Sequence, residues 1–294
     1  MSHATSPSMQ RQYGVVRVCQ EWGVRRSTFY HQRSSPVRQP AKRGPKTAYT
    51  DEALTVQIRQ VLTASPFVGE GHRKVWARLR IRGIRTSKRR VLRLMRQADL
   101  LAPSRARRVL GPHTHDGTII TDQPHQMWGT DATSTVTLED GAVTVFVAVD
   151  HCTLEGVGIH AARQATRFEA LEPIRQGVRQ QFGAFAAAIA AGLQVRHDHG
   201  SQYMSADFQA ELRFLGMTSS PAFVRAPEGN GIAERFIRTL KEQLLWVRPF
   251  RTVEELRHAL QTWLATYNEQ WLVERHGFRA PAQVRRDLMT TVAA

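Results

Sequence analysis

Apolar positions change their period partway along the chain. From Tyr13 to Ala98 they recur three and four residues apart, the spacing of helices, whereas from Met127 to Ala161 runs rich in Val, Thr and Ile read as strands. Val15, Val18 and Cys19 outline a short helix before Gly23, and Arg25-Arg26-Ser27-Thr28-Phe29-Tyr30 begins a second. Over residues 10–33 this is the outline of a helix-turn-helix, or of a packed helical hairpin. Pro36, Pro40 and Pro45, interleaved with Arg38, Lys42, Arg43 and Lys46, mark 34–48 as an extended basic linker. A helical module over 49–102 follows. Leu54, Ile58, Val61 and Leu62 form a stripe after Asp51 as a possible cap, His72 to Ile81 is a second helix closed by Gly83, and Ser87 caps a third.

Residues 103–124 form a second linker, rich first in Arg and then in His, Gly and Pro, whose His113 and His115, like His125 just beyond it, are expected to be solvated. The segment 125–290 then alternates strands and helices. Strands are expected at Met127–Thr137, Ala142–Asp150, Gly156–Ala161 and Leu193–His197, and helices over Arg167–Phe182, Ala206–Leu215 and Gly231–Trp246. Three antiparallel strands, a helix, a parallel strand and further helices outline an α/β core with a mixed sheet.

Charge divides the chain in the same place. Residues 1–112 carry 24 Lys and Arg against 5 Asp and Glu, net +19, while 113–294 carry 17 against 20, net −3. Such polarity points to a polyanion-gripping region ahead of a separate working domain. In the third helix of the module Arg89, Arg93 and Arg96 share a ridge opposite Val91, Leu94, Met95 and Ala98; with Arg73, Lys74 and Lys88 nearby, and Arg25 and Arg26 upstream, they are the candidate DNA contacts. Cys19 and Cys152 are the only cysteines, which disfavours a disulfide framework or a cysteine zinc site and fits a reducing cytoplasm. Neither a secretory signal nor a membrane-spanning stretch is expected; the longest apolar run, Ala184–Ala191, is too short.

Three acids carry the candidate chemistry: Asp131 in Trp128-Gly129-Thr130-Asp131, Asp198 in His197-Asp198-His199-Gly200-Ser201-Gln202-Tyr203, and Glu234 in Asn230-Gly231-Ile232-Ala233-Glu234. Carboxylates gathered without a basic partner repel unless divalent cations lie between them, and paired cations serve phosphoryl transfer. The 35 residues between Asp198 and Glu234 mean little alone, since about 0.5 such Asp-to-Glu pairs arise by chance from 10 Asp and 15 Glu. Context adds weight. Asp131 falls on the first strand, Asp198 ends the fourth, and Glu234 shares a helix face with Arg238 and Lys241 below Asn230 as a plausible cap. A surface ion pair between Glu234 and Arg238 is the plainer alternative. His197 and His199 have no zinc spacing and are read as packing or DNA contacts, and Trp128 as a core anchor.

These three words, with Lys241, resemble those of bacterial insertion-sequence transposases with a retroviral-integrase-type core, in particular the downstream reading-frame product of the insertion-sequence three family. Gly71-His72-Arg73-Lys74-Val75-Trp76-Ala77 and Ser87-Lys88-Arg89-Arg90-Val91-Leu92-Arg93-Leu94-Met95 resemble that family's helical module, and Tyr267-Asn268 with Pro281 its C-terminal segment. The resemblance implies an RNase H-like fold, a mixed five-stranded sheet with flanking helices, preceded by all-α helix-turn-helix modules. It implies a metal-dependent polynucleotidyl transferase in which Asp131, Asp198 and Glu234 hold two Mg²⁺ ions, Mn²⁺ being able to substitute, with Lys241 and Arg238 on the DNA backbone. The implied partners are the element's terminal inverted repeats and target DNA, bound by a homo-oligomer in the cytoplasm at the nucleoid. An upstream-frame product is a further possible partner, and the alternative function is a DNA-binding accessory or repressor protein whose core is silent without it.

Overall fold

The computed structural model describes residues 3–34, 48–103, 119–222 and 230–292. Most of the two expected linkers, with His113 and His115, lies outside the described residues. The chain divides into two compact units, Met1–Ala48 and Tyr49–Ala294. In the first, α1 (Val15–Glu21) buries Cys19 and turns at Gly23 into α2 (Arg26–Ser34), with Arg25 and Arg26 exposed at its start.

The second unit opens with α3 (Asp51–Ala64), α4 (His72–Ile81) and α5 (Lys88–Gln97), packed around Leu54, Ile58, Val61, Val75, Leu79, Val91, Leu94 and Met95. Ser87 caps α5 as expected, accepting from the Arg90 amide at 3.2 Å. At α3 the cap is Thr50, not Asp51, because Thr50 is the residue still in extended conformation; its hydroxyl accepts from Ala53 N at 3.2 Å. Asp51 sits in the first turn, where its carboxylate binds Arg90 at 2.8 Å and Arg93 at 2.7 Å.

The sheet follows. β1 (Met127–Thr137), β2 (Gly141–Asp150) and β3 (Gly156–Ala162) form an antiparallel meander, and α6 (Arg167–Phe182) carries the chain back to β4 (Gln194–His197). β4 is parallel to β1, β5 (Thr218–Pro221) is parallel to β4, and the order is β3-β2-β1-β4-β5. Thr218-Ser219-Ser220-Pro221 has no apolar alternation, so hydrophobic pattern does not announce β5; as an edge strand it tolerates proline. Along β2 the side chains alternate between two cores. Val143, Val145, Val147 and Val149 pack with α9 (Gly231–Leu240) and α10 (Val253–Gln270), while Phe146 and Ala148 face α6 and α8 (Ala206–Phe214). Both faces of the sheet are thus covered.

Three local features bear on the site. The short α7 (Ser201–Met204) precedes α8, and the helix expected to run on to Trp246 changes after Leu240 into a π-helical turn, Lys241–Leu245. Asn268 of α10 pairs with both backbone polar groups of Gly156, accepting from N and donating to O at 2.9 Å each, which fastens α10 to β3. The segment leading into α11 (Pro281–Val292) closes on the β2–β3 turn. There Arg275 donates to the carbonyls of His151 and Cys152, and Arg285 of α11 binds the buried Glu155 at 2.6 Å.

Candidate active site

The parallel register of β1 and β4 brings the first two acids together. Met127, Trp128 and Gly129 lie opposite Gln194, Val195 and Arg196; the pairing stops there, with Asp131 two residues beyond Gly129 and Asp198 two beyond Arg196. β4 ends at His197, so Asp198 stands at the carboxyl end of a parallel strand, where open α/β sheets form their crevices. The turn is held by Asp198 itself, whose Oδ1 accepts from Gly200 N at 2.8 Å. A Cβ at position 200 would come within 2.9 Å of that oxygen, which accounts for glycine two residues after the acid.

His197 supports this turn from below. Fully buried, it donates from Nδ1 to the Asp198 carbonyl at 2.6 Å and accepts at Nε2 from the Ser219 hydroxyl at 2.8 Å. Gln209 completes the chain, donating to Ser219 Oγ and to the Tyr203 carbonyl. Burial holds the imidazole pKa below its ordinary value, and the neutral tautomer satisfies every bond. Packing, rather than DNA contact, is the role seen for His197. His125 also departs from expectation: it packs against Trp128 and Phe182, and its amide donates to Asp150. Trp128 is a fully buried anchor.

Glu234 arrives through Asn230. The sequence marks Asn230 as a helix cap, but its side chain makes no capping bond; Nδ2 donates instead to the Thr130 carbonyl, one residue before Asp131, at 3.0 Å. Gly129 makes the approach possible: a Cβ there would lie 2.7 Å from His151 Nε2 and 3.0 Å from Asn230 Oδ1. The glycine of the first acidic word and the asparagine of the third are therefore one contact. That α9 begins on β1 was not readable from either word alone.

Asp131 lies in the field of the other two carboxylates. Burial chiefly pushes the Asp131 pKa up, to about 6, with Asp198 and Glu234 adding to the rise and the Ala132 amide and Lys241 opposing it. Burial also raises Glu234, against the pull of Arg238. Asp198 and Glu234 are exposed and Asp131 half-buried, so the group opens to solvent on one side. Among the described residues no three acidic, histidine or cysteine groups stand close enough to grip an ion, and none of these acids forms an ion pair. The donors are all carboxylate oxygens, the set that suits a hard divalent cation.

The basic candidates divide. Lys241 opens the π-helical turn near Asp131, and Arg238 is exposed on the helix of Glu234. Arg89 and Arg96 are exposed on α5. Arg93 is held by Asp51 and Gln97, Arg73 by Glu274 at 2.9 Å, and the Lys74 ammonium is buried over the Trp271 ring. Lys88 lies over Trp76 and Phe278.

The sheet is mixed and covered on both faces, with Asp131 within β1, Asp198 just past the end of β4 and Glu234 on α9, and the chain falls in the integrase-core class of polynucleotidyl transferases. The integrase core domain model matches residues 215–290, which include Glu234, and the HTH-like domain model matches 50–108. Relatives include the transposase for insertion sequence element IS629 of Shigella sonnei, 27% identical over 95% of this chain and 93% of that protein. Transposase InsD for insertion element IS2A/D/F/H/I/K of Escherichia coli is 26% identical over 83% of this chain and 82% of its own length. The chain is an insertion-sequence transposase with a core of the retroviral integrase type. Similar solved structures include a chain of the simian T-cell lymphotropic virus intasome in complex with PP2A regulatory subunit B56 gamma, with TM-score 0.46 and 19% identity over 71% of this chain and 70% of that one. The HTLV-2 integrase catalytic core domain in complex with magnesium has TM-score 0.42 and 18% identity over 56% of this chain and 98% of that one.

Proposed function

We propose that this transposase cleaves and joins DNA strands at the ends of its insertion element, and that Asp131, Asp198 and Glu234 hold the two Mg²⁺ ions, replaceable by Mn²⁺, on which the reaction depends. The observation that carries this reading is that Asp131 feels the charges of Asp198 and Glu234 while, among the described residues, none of the three acids is ion-paired to a basic side chain. When bound, the ions would supply charge neutralisation and Lewis-acid activation for an in-line displacement at phosphorus. The chain's own part is to place the ligands. β1 and β4 fix Asp131 and Asp198 by register, Asn230 brings Glu234 over β1, and His197 holds the Asp198 turn.

Lys241 and Arg238 project from the helix of Glu234 and are assigned to the DNA backbone beside the site. The exposed Arg89 and Arg96 of the helical module, with Arg25 and Arg26 of the first unit, are assigned to terminal-repeat DNA. The domain limits adopted are 10–33, 49–102 and 125–290, joined by linkers. A homo-oligomer on DNA, working in the cytoplasm, completes the assignment; among the described residues no helix is long and apolar enough to cross a membrane. The experiment is cleavage and joining of terminal-repeat DNA with Mg²⁺, Mn²⁺ or chelator present. Metal-independent cleavage would refute the assignment.

A further inference from the structure

The loop between α3 and α4 meets the continuation of α9 through one side chain. Gln243 accepts from Val68 N at 2.8 Å and donates to Val68 O at 2.9 Å, so its amide pairs with both backbone groups of a residue 175 positions away. Hydrophobic packing does not place Val68, whose own side chain is 61% exposed; what it offers is its backbone. The residues around it hold the loop in shape. Ser65 accepts from Phe67 N and donates to Glu70, which binds Arg78, and the buried Phe67 stands edge-on to Trp271 at 4.9 Å. From α4, Lys74 covers the Trp271 ring, Arg73 binds Glu274 at 2.9 Å and Trp76 meets Phe278 at 5.7 Å.

Gln243 takes its direction from the π-helical turn. α9 runs straight into Lys241–Leu245, where Trp246 N bonds to Lys241 O at 2.9 Å, five residues back. Closing each bond one residue later turns the following side chains away from the faces they would take on an unbroken α-helix, and such turns gather at functional sites. Gln243 lies nine residues after Glu234 on this continuous helix, roughly 13 Å along its axis. Whatever fixes Gln243 therefore fixes the far end of the element that presents Glu234. On the other side of the joint, α4 and α5 share the core of Val75, Leu79, Val91 and Leu94, and α5 exposes Arg89 and Arg96.

Resting on the reading of Asp131, Asp198 and Glu234 as the metal-holding acids and of the α5 arginines as terminal-repeat contacts, we propose that Gln243 is a positioning residue joining the two. Its amide locks the helical module to the helix of Glu234, so that DNA gripped on α5 meets the acids in one register and the bond to be cut is set at this joint. Both hydrogen bonds are exposed, so water replaces them at little cost when the side chain is removed. Their loss should move the cut rather than unfold the chain.

The test is Gln243→Ala in the full chain, beside Gln243→Glu, Asp198→Asn and Arg89→Ala combined with Arg96→Ala, on terminal-repeat DNA with Mg²⁺. Gln243→Ala is expected to melt with the wild type and to bind the repeat as it does. Single-turnover cleavage falls about ten- to a hundredfold, and the cut, mapped at nucleotide resolution, spreads from the wild-type bond to its neighbours. Gln243→Glu, which keeps the acceptor for Val68 N and loses the donor, should fall between. Cleavage at the wild-type rate and position in Gln243→Ala, with Asp198→Asn inactive, would overturn this proposal and leave the acidic triad standing. A slower cut at an unchanged position, or a lowered melting temperature, would also overturn it by making the amide pair ordinary packing. Active Asp198→Asn would remove the triad and this proposal together, and undiminished repeat binding without Arg89 and Arg96 would remove the grip on which it rests.

Discussion

Asn230 Nδ2 donates to the carbonyl of Thr130 at 3.0 Å, and this single bond joins the start of the helix that carries Glu234 to the strand that carries Asp131. Asn230 is almost fully buried, so nothing from solvent replaces the bond if it is lost. Asn230→Asp keeps the shape but turns the donor into an acceptor facing a carbonyl. It is expected to lower the cleavage rate at least tenfold with little change in DNA affinity, and to cost about 1–3 kcal/mol of stability. Single-turnover kinetics and DNA titration separate the two effects; unchanged cleavage would remove Asn230 from the positioning of Glu234.

Asp131 gives a pH signature in the metal-free protein. Its carboxyl is pushed up to about 6 from an ordinary 3.8, so the charged form is the one the fold disfavours. Below about pH 4 both states are protonated and the penalty is absent; it grows as pH rises and is complete above about pH 6. In chelator, Asp131→Asn should therefore melt above wild type at pH 7.5, and the difference should vanish near pH 4. Differential scanning calorimetry across that range checks the sign.

Much of this fold is legible in the sequence where one signal dominates. The Val-rich alternation of Gly141–Asp150 and the helical stripe of Leu54, Ile58 and Val61 specify element and buried face together, because burial on a sheet or helix leaves a fixed period. β5 leaves none, being a short polar edge strand paired through its backbone. At the site the acids are legible from their words, but their supports are not. Asn230 looks like a cap because caps favour asparagine, and only the approach of β1 shows its side chain turned to Thr130. Charge along a chain marks Arg73, Lys74 and Arg93 as basic but does not reveal that they meet Glu274, Trp271 and Asp51.

Glu155 and Arg285 form an ion pair inside the fold. Burial raises the Glu155 pKa while Arg285, at 2.6 Å, opposes the rise. Arg285→Ala leaves a buried carboxylate unpaired and should cost about 3–5 kcal/mol. Pairing Arg285→Met with Glu155→Gln should recover much of that loss. Urea denaturation of the two variants measures it; equal losses would mean that the charge on Glu155 is not what the arginine compensates.

The exposed arginines should separate from the engaged ones in DNA binding. Arg89→Ala and Arg96→Ala are expected to weaken terminal-repeat binding and to reduce the slope of log affinity against log salt by about 1 each. Arg93→Ala, whose guanidinium is taken by Asp51, should leave the slope unchanged and lower stability. Fluorescence anisotropy over a salt series distinguishes them, and an equal loss of slope in all three would place Arg93 on DNA as well.

The central claim, that Asp131, Asp198 and Glu234 act as one metal-holding group, is tested most directly by Asp198→Asn in a terminal-repeat cleavage assay with Mg²⁺. The exchange preserves shape and an acceptor for Gly200 N while removing the charge. Loss of cleavage by at least a thousandfold, with folding and metal-free DNA binding retained, is the predicted result. Cleavage at the wild-type rate would contradict it.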